Sequence, residues 1–356
     1  MCDMHPSLVK LFSKNVKSKK RHEILLTSEL VAGVAEEERC CSVVDIGSGL
    51  GHLVRALSYR YNLNAVGIEG QNKLTLGARD LDNEFESFIL KHPQKGSILK
   101  FGKPQHMNLM LTPEIQGSVL SESLAKYIGE NGFGIVGLHP CGDLGPLLLR
   151  MFTETPGIKF ICIVGCCFNK LSCQGDKFRG YPLSNFVSNI ENNELSYESR
   201  QIACHAIESY CQRLVKGLYE DLQVHTYRAL LEKILVTKWP NMKHMGLRSI
   251  KHTNTLTFQR YCEIATERIG VTLSEEDTST EFIDNSLKMW KKIVILYTLR
   301  LILGPLVESI ILWDRVLSLR EKGAACDVHA LFDPLISPRN HILIARKILK
   351  KNNIMK

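Results

Sequence analysis

Four residues near the start of the chain stand in a pattern that could hold a cofactor. Asp45, Gly47, Gly49 and Gly51 read D-x-G-x-G-x-G within "CSVVDIGSGLGHLVRALSYRYNLNAVGIEG", Cys41 to Gly70. Glycines at such a turn let backbone N–H groups approach a ligand that a side chain would keep away. The dinucleotide fingerprint places its third glycine one residue later, as G-x-G-x-x-G. Here His52 occupies that later position. Glu69 ends the following apolar run, 22 residues after Gly47, where a carboxylate can accept both hydroxyls of a ribose. The combination points to S-adenosylmethionine rather than NAD or FAD. An ordinary tight turn with a surface glutamate is the bland alternative.

A second group of reactive residues follows two later apolar runs. "LHPCGDL" (Leu138 to Leu144) carries His139 and Cys141, and "GCCFNKLS" (Gly165 to Ser172) carries Phe168. His139 suits a general base, because its ordinary pKa lies near neutrality; a histidine bonded to a loop carbonyl is the competing reading. Cys141 resembles the nucleophile of cytosine-5 methyltransferases, although a buried inert thiol is the simpler account. Asp143 reads as a helix N-cap. Phe168 is placed to stack on a substrate base, or to pack in the core. His139, Cys141, Cys166, Cys167 and Cys173 match no standard zinc spacing, so no metal is expected. The Asn/Asp-Pro-Pro-aromatic run common in amino-methylating enzymes is absent.

The elements that must position these residues alternate. "SVVDIG", "NAVGIE", a weak "HMNLMLT", "FGIVGLH" and "IKFICIVGCC" read as strands. "LGHLVRALSYRY", "QNKLTLGARDLDNEFESFILKH", "SVLSESLAKYIG" and "DLGPLLLRMFTE" read as the intervening helices. Apolar strands separated by helices imply an α/β fold with a parallel sheet covered on both faces. Nearly all of 198–323 reads helical. "DVHALFD" and "HILIARK", joined by "PLISPRN", then read as a hairpin. The expected architecture is a class I, Rossmann-like sheet of seven mostly parallel strands, with an antiparallel terminal strand and a helical insertion before the last two. The expected boundaries are 1–40 for a basic segment and helix, 41–197 for the donor-binding core, 198–323 for an insertion packed on it, and 324–356 for the hairpin and basic tail.

Composition narrows the function class. The chain has 356 residues, 44% hydrophobic and 23% charged, and a net charge of +8, as in soluble globular proteins. Basic residues crowd "KNVKSKKRH" (Lys14 to His22) and "ARKILKKNNIMK" (Ala345 to Lys356). Taken alone, such runs read as a solvated surface or frayed tail; the sharper reading is attraction to a polyanion such as RNA. Twelve cysteines without an evident signal peptide imply reduced thiols and an intracellular chain, cytoplasmic or nuclear. Ile293 to Trp313 is apolar, but Arg300, Gly304-Pro305 and Glu308 interrupt it. It reads as buried helix rather than a membrane span.

Taken together, "KKRHEI", "VVDIGSGLGHL", "VGLHPCGDL", "GCCFNKLS", "YPLSNFV" and "DPLISPRN" resemble the methyltransferase-like 25 family, from Lys19 to Lys347 in one order. The resemblance implies a class I methyltransferase that binds S-adenosylmethionine. It implies donor contacts from Asp45, Gly47, Gly49, Gly51 and Glu69, with Lys20, His22 and Glu23 nearby on the preceding helix. His139 to Gly142 is also similar to a run in a tRNA 2′-O-methyltransferase family. Family members usually carry a longer segment before "KKRHEI". The expected activity is methyl transfer to RNA; transfer to protein and a non-catalytic binding module are the alternatives.

Overall fold

The computed structural model describes residues 12, 14, 16–91, 102–115, 117–128, 132–174 and 178–348. The first eleven residues and the basic run from 349 onward, both counted above among the terminal segments, lie outside the described residues.

Seven strands form one sheet in the order β3-β2-β1-β4-β5-β7-β6. They are β1 (Ser42–Ile46), β2 (Asn64–Glu69), β3 (Gln105–Asn108), β4 (Phe133–Leu138), β5 (Ile158–Val164), β6 (Ala324–Ala330) and β7 (His341–Lys347). Strands β1 to β5 pair in parallel, with Val44 beside Val66 on one side and Ile135 on the other. β7 inserts antiparallel between β5 and β6, and the β6–β7 hairpin runs from Ala324↔Lys347 to Ala330↔His341. The switch point lies between β1 and β4, where ligands of such sheets bind at the carboxyl ends of the strands. The expected class I sheet is the one observed.

Alternation along each strand divides the core in two. Val44, Ile46, Val66, Ile68 and Ile135 face α4 (Gly117–Ile128), α5 (Leu144–Glu154) and α6 (Gly304–Glu321), through Leu124, Leu148 and Val316 among others. Val43, Ala65, Val136 and Cys162 face α1 (Ser18–Glu37) and α2 (His52–Tyr61), through Val31, Leu53 and Leu57. Each such aliphatic burial contributes about 1.5–3 kcal/mol. Asp45 shares a face with Val43, so its carboxyl is turned toward the α1 side. α3 (Asn72–Lys91) follows β2.

The chain divides into two compact units, 206–304 and the remainder. The unit 206–304 has its own core, built from Tyr227, Leu231, Leu235, Phe258, Tyr261 and Ile283. Its helices start on capping residues: Thr257 accepts from Arg260 N–H and Thr280 from Ile283 N–H. The helical segment read as 198–323 is therefore divided, and Pro305–Glu321 belongs with the sheet.

Trp290–Glu321 is long and apolar enough to cross a membrane, with a mean hydropathy of 1.8 in its most apolar window. Only 22% of that window is buried, which corrects the expectation of a buried helix. Apolar residues run all round Ile293 to Leu296, so one packed stripe leaves Ile295, Leu296 and Leu299 exposed.

Candidate functional site

The turn after β1 is built by backbone conformation as much as by space. Gly47, Gly49 and Gly51 have φ of 76°, 57° and 70°, a region that L side chains adopt at a cost. Beyond Gly49 a Cβ would meet nothing within 4 Å, so the turn opens into a free cradle there. Gly51 differs. A Cβ on it would lie 2.4 Å from His106 Cε1, so its missing side chain serves helix packing, not ligand approach.

Glu69, at the end of β2, spans the turn. Its Oε2 accepts the Gly49 N–H and its Oε1 the Gln71 N–H, both at 2.9 Å. Each carboxylate oxygen keeps lone-pair capacity for a ribose hydroxyl. Asp45 is buried, and burial pushes its carboxyl up to about 7, with the Lys20 charge opposing and the Glu69 charge adding. An open glycine cradle beside a fixed acid fits the ribose and amino-acid ends of S-adenosylmethionine. Glu69 and the Gly47–Gly49 backbone would hold that donor, with Lys20 acting on Asp45 from α1.

Beneath the turn lies a polar brace that the sequence did not announce. Asp82 of α3 accepts from Arg55 Nε at 2.6 Å and from His106 Nε2 at 2.7 Å, while Arg55 also donates to the Leu50 and Ala78 carbonyls. These residues sit in three separate elements, so no spacing rule links them. At the end of β3, Asn108 donates to the Glu69 carbonyl at 2.8 Å.

The loop after β4 is held by α1. Glu23, 3% exposed, accepts from His139 Nε2 at 3.0 Å and from Ser337 Oγ at 2.5 Å, with Lys19 Nζ at 3.7 Å. Burial alone would raise the Glu23 pKa, but the bonds from His139 and Ser337 outweigh it and hold it below its ordinary value. With Nε2 bonded to Glu23, Nδ1 is the remaining ring nitrogen of His139; it is buried and has no hydrogen-bond partner. His139 also has a φ of 69°, strain of a kind that gathers at functional sites. His22 accepts the Asp333 N–H at 3.1 Å, so it anchors α1 to the β6–β7 loop. Lys20 is exposed on the first turn of the same helix.

Two readings of the reacting end need correction. Phe168 is 1% exposed, packed with Leu171, Tyr181 and Ile311 and lying under the Arg315 guanidinium, so no face is left to stack on a base. Cys141 is exposed, not a buried inert thiol. Its Sγ lies 3.3 Å from that of Cys166 and 3.2 Å from that of Cys167. Asp143 occupies an N-cap position, but its carboxylate accepts the Ser172 N–H at 2.8 Å instead and ties the β4 loop to the β5 loop.

The sheet order, the glycine turn and its ribose acid define a class I S-adenosylmethionine-dependent methyltransferase. A family model described as a methyltransferase domain matches residues 19–174, which contain β1 to β5, the glycine turn and Glu69. The chain is similar to the methyltransferase-like 25 proteins. It is 23% identical to probable methyltransferase-like protein 25 of Mus musculus, over 93% of this chain and 75% of that protein. It is 25% identical to the Homo sapiens protein of the same name, over 92% and 74%. Among solved structures, the SAH-bound Podospora anserina methyltransferase PaMTH1 aligns over 97% of this chain and 89% of its own, at 7% identity and a TM-score of 0.38.

Proposed function

We propose that this methyltransferase acts on RNA inside the cell, with His139 as the general base. The observation that carries the reading is the composition of α1. Its first turn displays Lys19, Lys20 and Arg21 to solvent, and the next residue but one, Glu23, is the carboxylate that holds His139. A phosphate backbone drawn to that turn is thereby drawn toward the carboxyl ends of β4 and β5. The net charge of +8 adds long-range attraction. The described cysteines, all free thiols, accord with an intracellular setting.

The donor, when bound, supplies an electrophilic methyl group on a sulfonium. Because His139 Nδ1 is buried in the structure, taking the proton of the attacking O–H or N–H as the bond to methyl forms requires the β4 loop to uncover it when substrate binds. Glu23 stabilises the resulting imidazolium through Nε2–H. Cys141 is a poor nucleophile here. The Cys166 bond lowers its pKa, but the Cys167 bond and partial desolvation of its sulfur raise it above the ordinary thiol value.

The test is transfer of a labelled methyl group from S-adenosylmethionine into fractionated cellular RNA and protein. Label should enter RNA, and RNA binding should weaken with salt by a slope of about −0.7 per phosphate contact for single strands. Label found only in protein, or an isotherm indifferent to salt, overturns the RNA reading.

A further inference from the structure

Three cysteine sulfurs meet where the β4 and β5 loops come together. Cys141 lies three residues past β4; Cys166 and Cys167 lie two and three residues past β5. Their Sγ atoms form a triangle with edges of 3.3, 3.4 and 3.2 Å. All three are free thiols, and together they are a group able to ligate a metal ion. We propose that Cys141, Cys166 and Cys167 bind one zinc ion as thiolates, with a fourth position left open toward solvent on the exposed Cys141 side.

The geometry is close to what zinc needs. A tetrahedral ion with Zn–S of about 2.3 Å spaces its sulfurs about 3.8 Å apart, so each sulfur would move outward by only about 0.3 Å. Three protein ligands with one open position is the pattern of a catalytic rather than a purely structural zinc site. The sequence concealed it because the ligands come from two strand ends 25 residues apart, and Cys166-Cys167 are adjacent rather than spaced as C-x-x-C.

The surroundings are built for negative charge. Arg315, 2% exposed on α6, packs its guanidinium against Gly165, where a Cβ would lie 2.7 Å from its Nη1. Its Nε is buried without a hydrogen-bond partner. Burial pulls Arg315 down to about 10, still protonated at neutral pH, with Asp314 and Cys166 among the charges that oppose the fall. Three thiolates around Zn²⁺ sum to −1, which this buried cation would balance. The loops are also fixed behind the sulfurs. Asp143 bonds Ser172 N–H, and Gly142 lies too close to the Lys170 carbonyl, 2.9 Å from a built Cβ, to carry a side chain.

Zinc binding displaces the remaining thiol protons, so affinity should fall as pH falls. The test is titration of the reduced, chelator-treated full chain with Zn²⁺ alone, alongside mapping of thiols protected from alkylation. One zinc per chain is expected, with Cys141, Cys166 and Cys167 protected together. Cys166→Ser should weaken binding by at least about tenfold, whereas Cys211→Ser, an exposed thiol elsewhere, should not change it. Protection mapping on the unaltered protein keeps the proposal testable if Cys166→Ser does not fold. Substoichiometric zinc, equal affinity in Cys166→Ser, protection of other thiols, or a disulfide among the three in reducing buffer would each overturn it.

Discussion

Glu69 and Gly49 are joined by a 2.9 Å hydrogen bond from the glycine N–H to the carboxylate, so the ribose acid and the glycine turn form one unit. The acid is oriented before any ligand arrives. The turn in turn gains a partner for a donor that would otherwise face the open cradle.

Asp45 gives the site a pH signature. Burial raises its folded pKa to about 7 from 3.8, with Lys20 opposing and Glu69 adding. The folded value lies above the unfolded one, so its stabilising effect is full below about pH 4 and is lost as pH rises through about 7. The loss approaches roughly 4 kcal/mol at the upper limit. Urea unfolding of the donor-free protein at several pH values should show this decline, and Asp45→Asn should flatten it. An identical pH profile for the variant would mean that Asp45 is not the group responsible.

Gly49 and Gly51 should respond differently to alanine. Gly49→Ala meets open space and carries only the left-handed strain, about 1–2 kcal/mol. Gly51→Ala adds a collision with His106 on the Asp82 brace, so it should cost clearly more stability. Denaturant midpoints compare the two directly. Equal losses would show that the brace yields easily.

The His139 assignment predicts a split between chemistry and binding. His139→Ala should lower transfer by about 10²–10⁴-fold with donor affinity kept. Glu23→Gln should lower it less, by about tenfold, because the amide still accepts from Nε2 but no longer balances an imidazolium. RNA carrying 5-fluoropyrimidines should form no covalent adduct. A trapped adduct would move the chemistry to Cys141.

Residues 206–304, with a core of their own, should unfold cooperatively when expressed alone. Circular dichroism during thermal unfolding checks this, and a non-cooperative, largely coil spectrum would contradict it.

Much of the donor half was legible because its chemistry is local. D-x-G-x-G-x-G and Glu69 lie on consecutive elements, and apolar runs as strong as "IKFICIV" leave little doubt of strand. β3 was placed too far along because it has four residues at a sheet edge and no strong apolar run. The Glu23–His139–Ser337 contact joins residues 116 and 314 positions apart, which no periodicity reveals. Cys141, Cys166 and Cys167 were among the candidate ligands weighed, but their spacing fits no zinc pattern, and only the fold brings the three sulfurs together. Phe168 was misplaced because an aromatic after a strand end looks alike whether it caps a core or a substrate.

The central claim, that the Glu69–Gly49 unit is the methyl-donor site, is tested most directly by calorimetric titration of S-adenosylhomocysteine into the wild-type chain and Glu69→Ala. The wild type should bind one ligand per chain, and the variant should lose about 1.5–3 kcal/mol, the range for hydrogen bonds to a charged group. No heat from the folded wild type, or an unchanged affinity in Glu69→Ala, would contradict it.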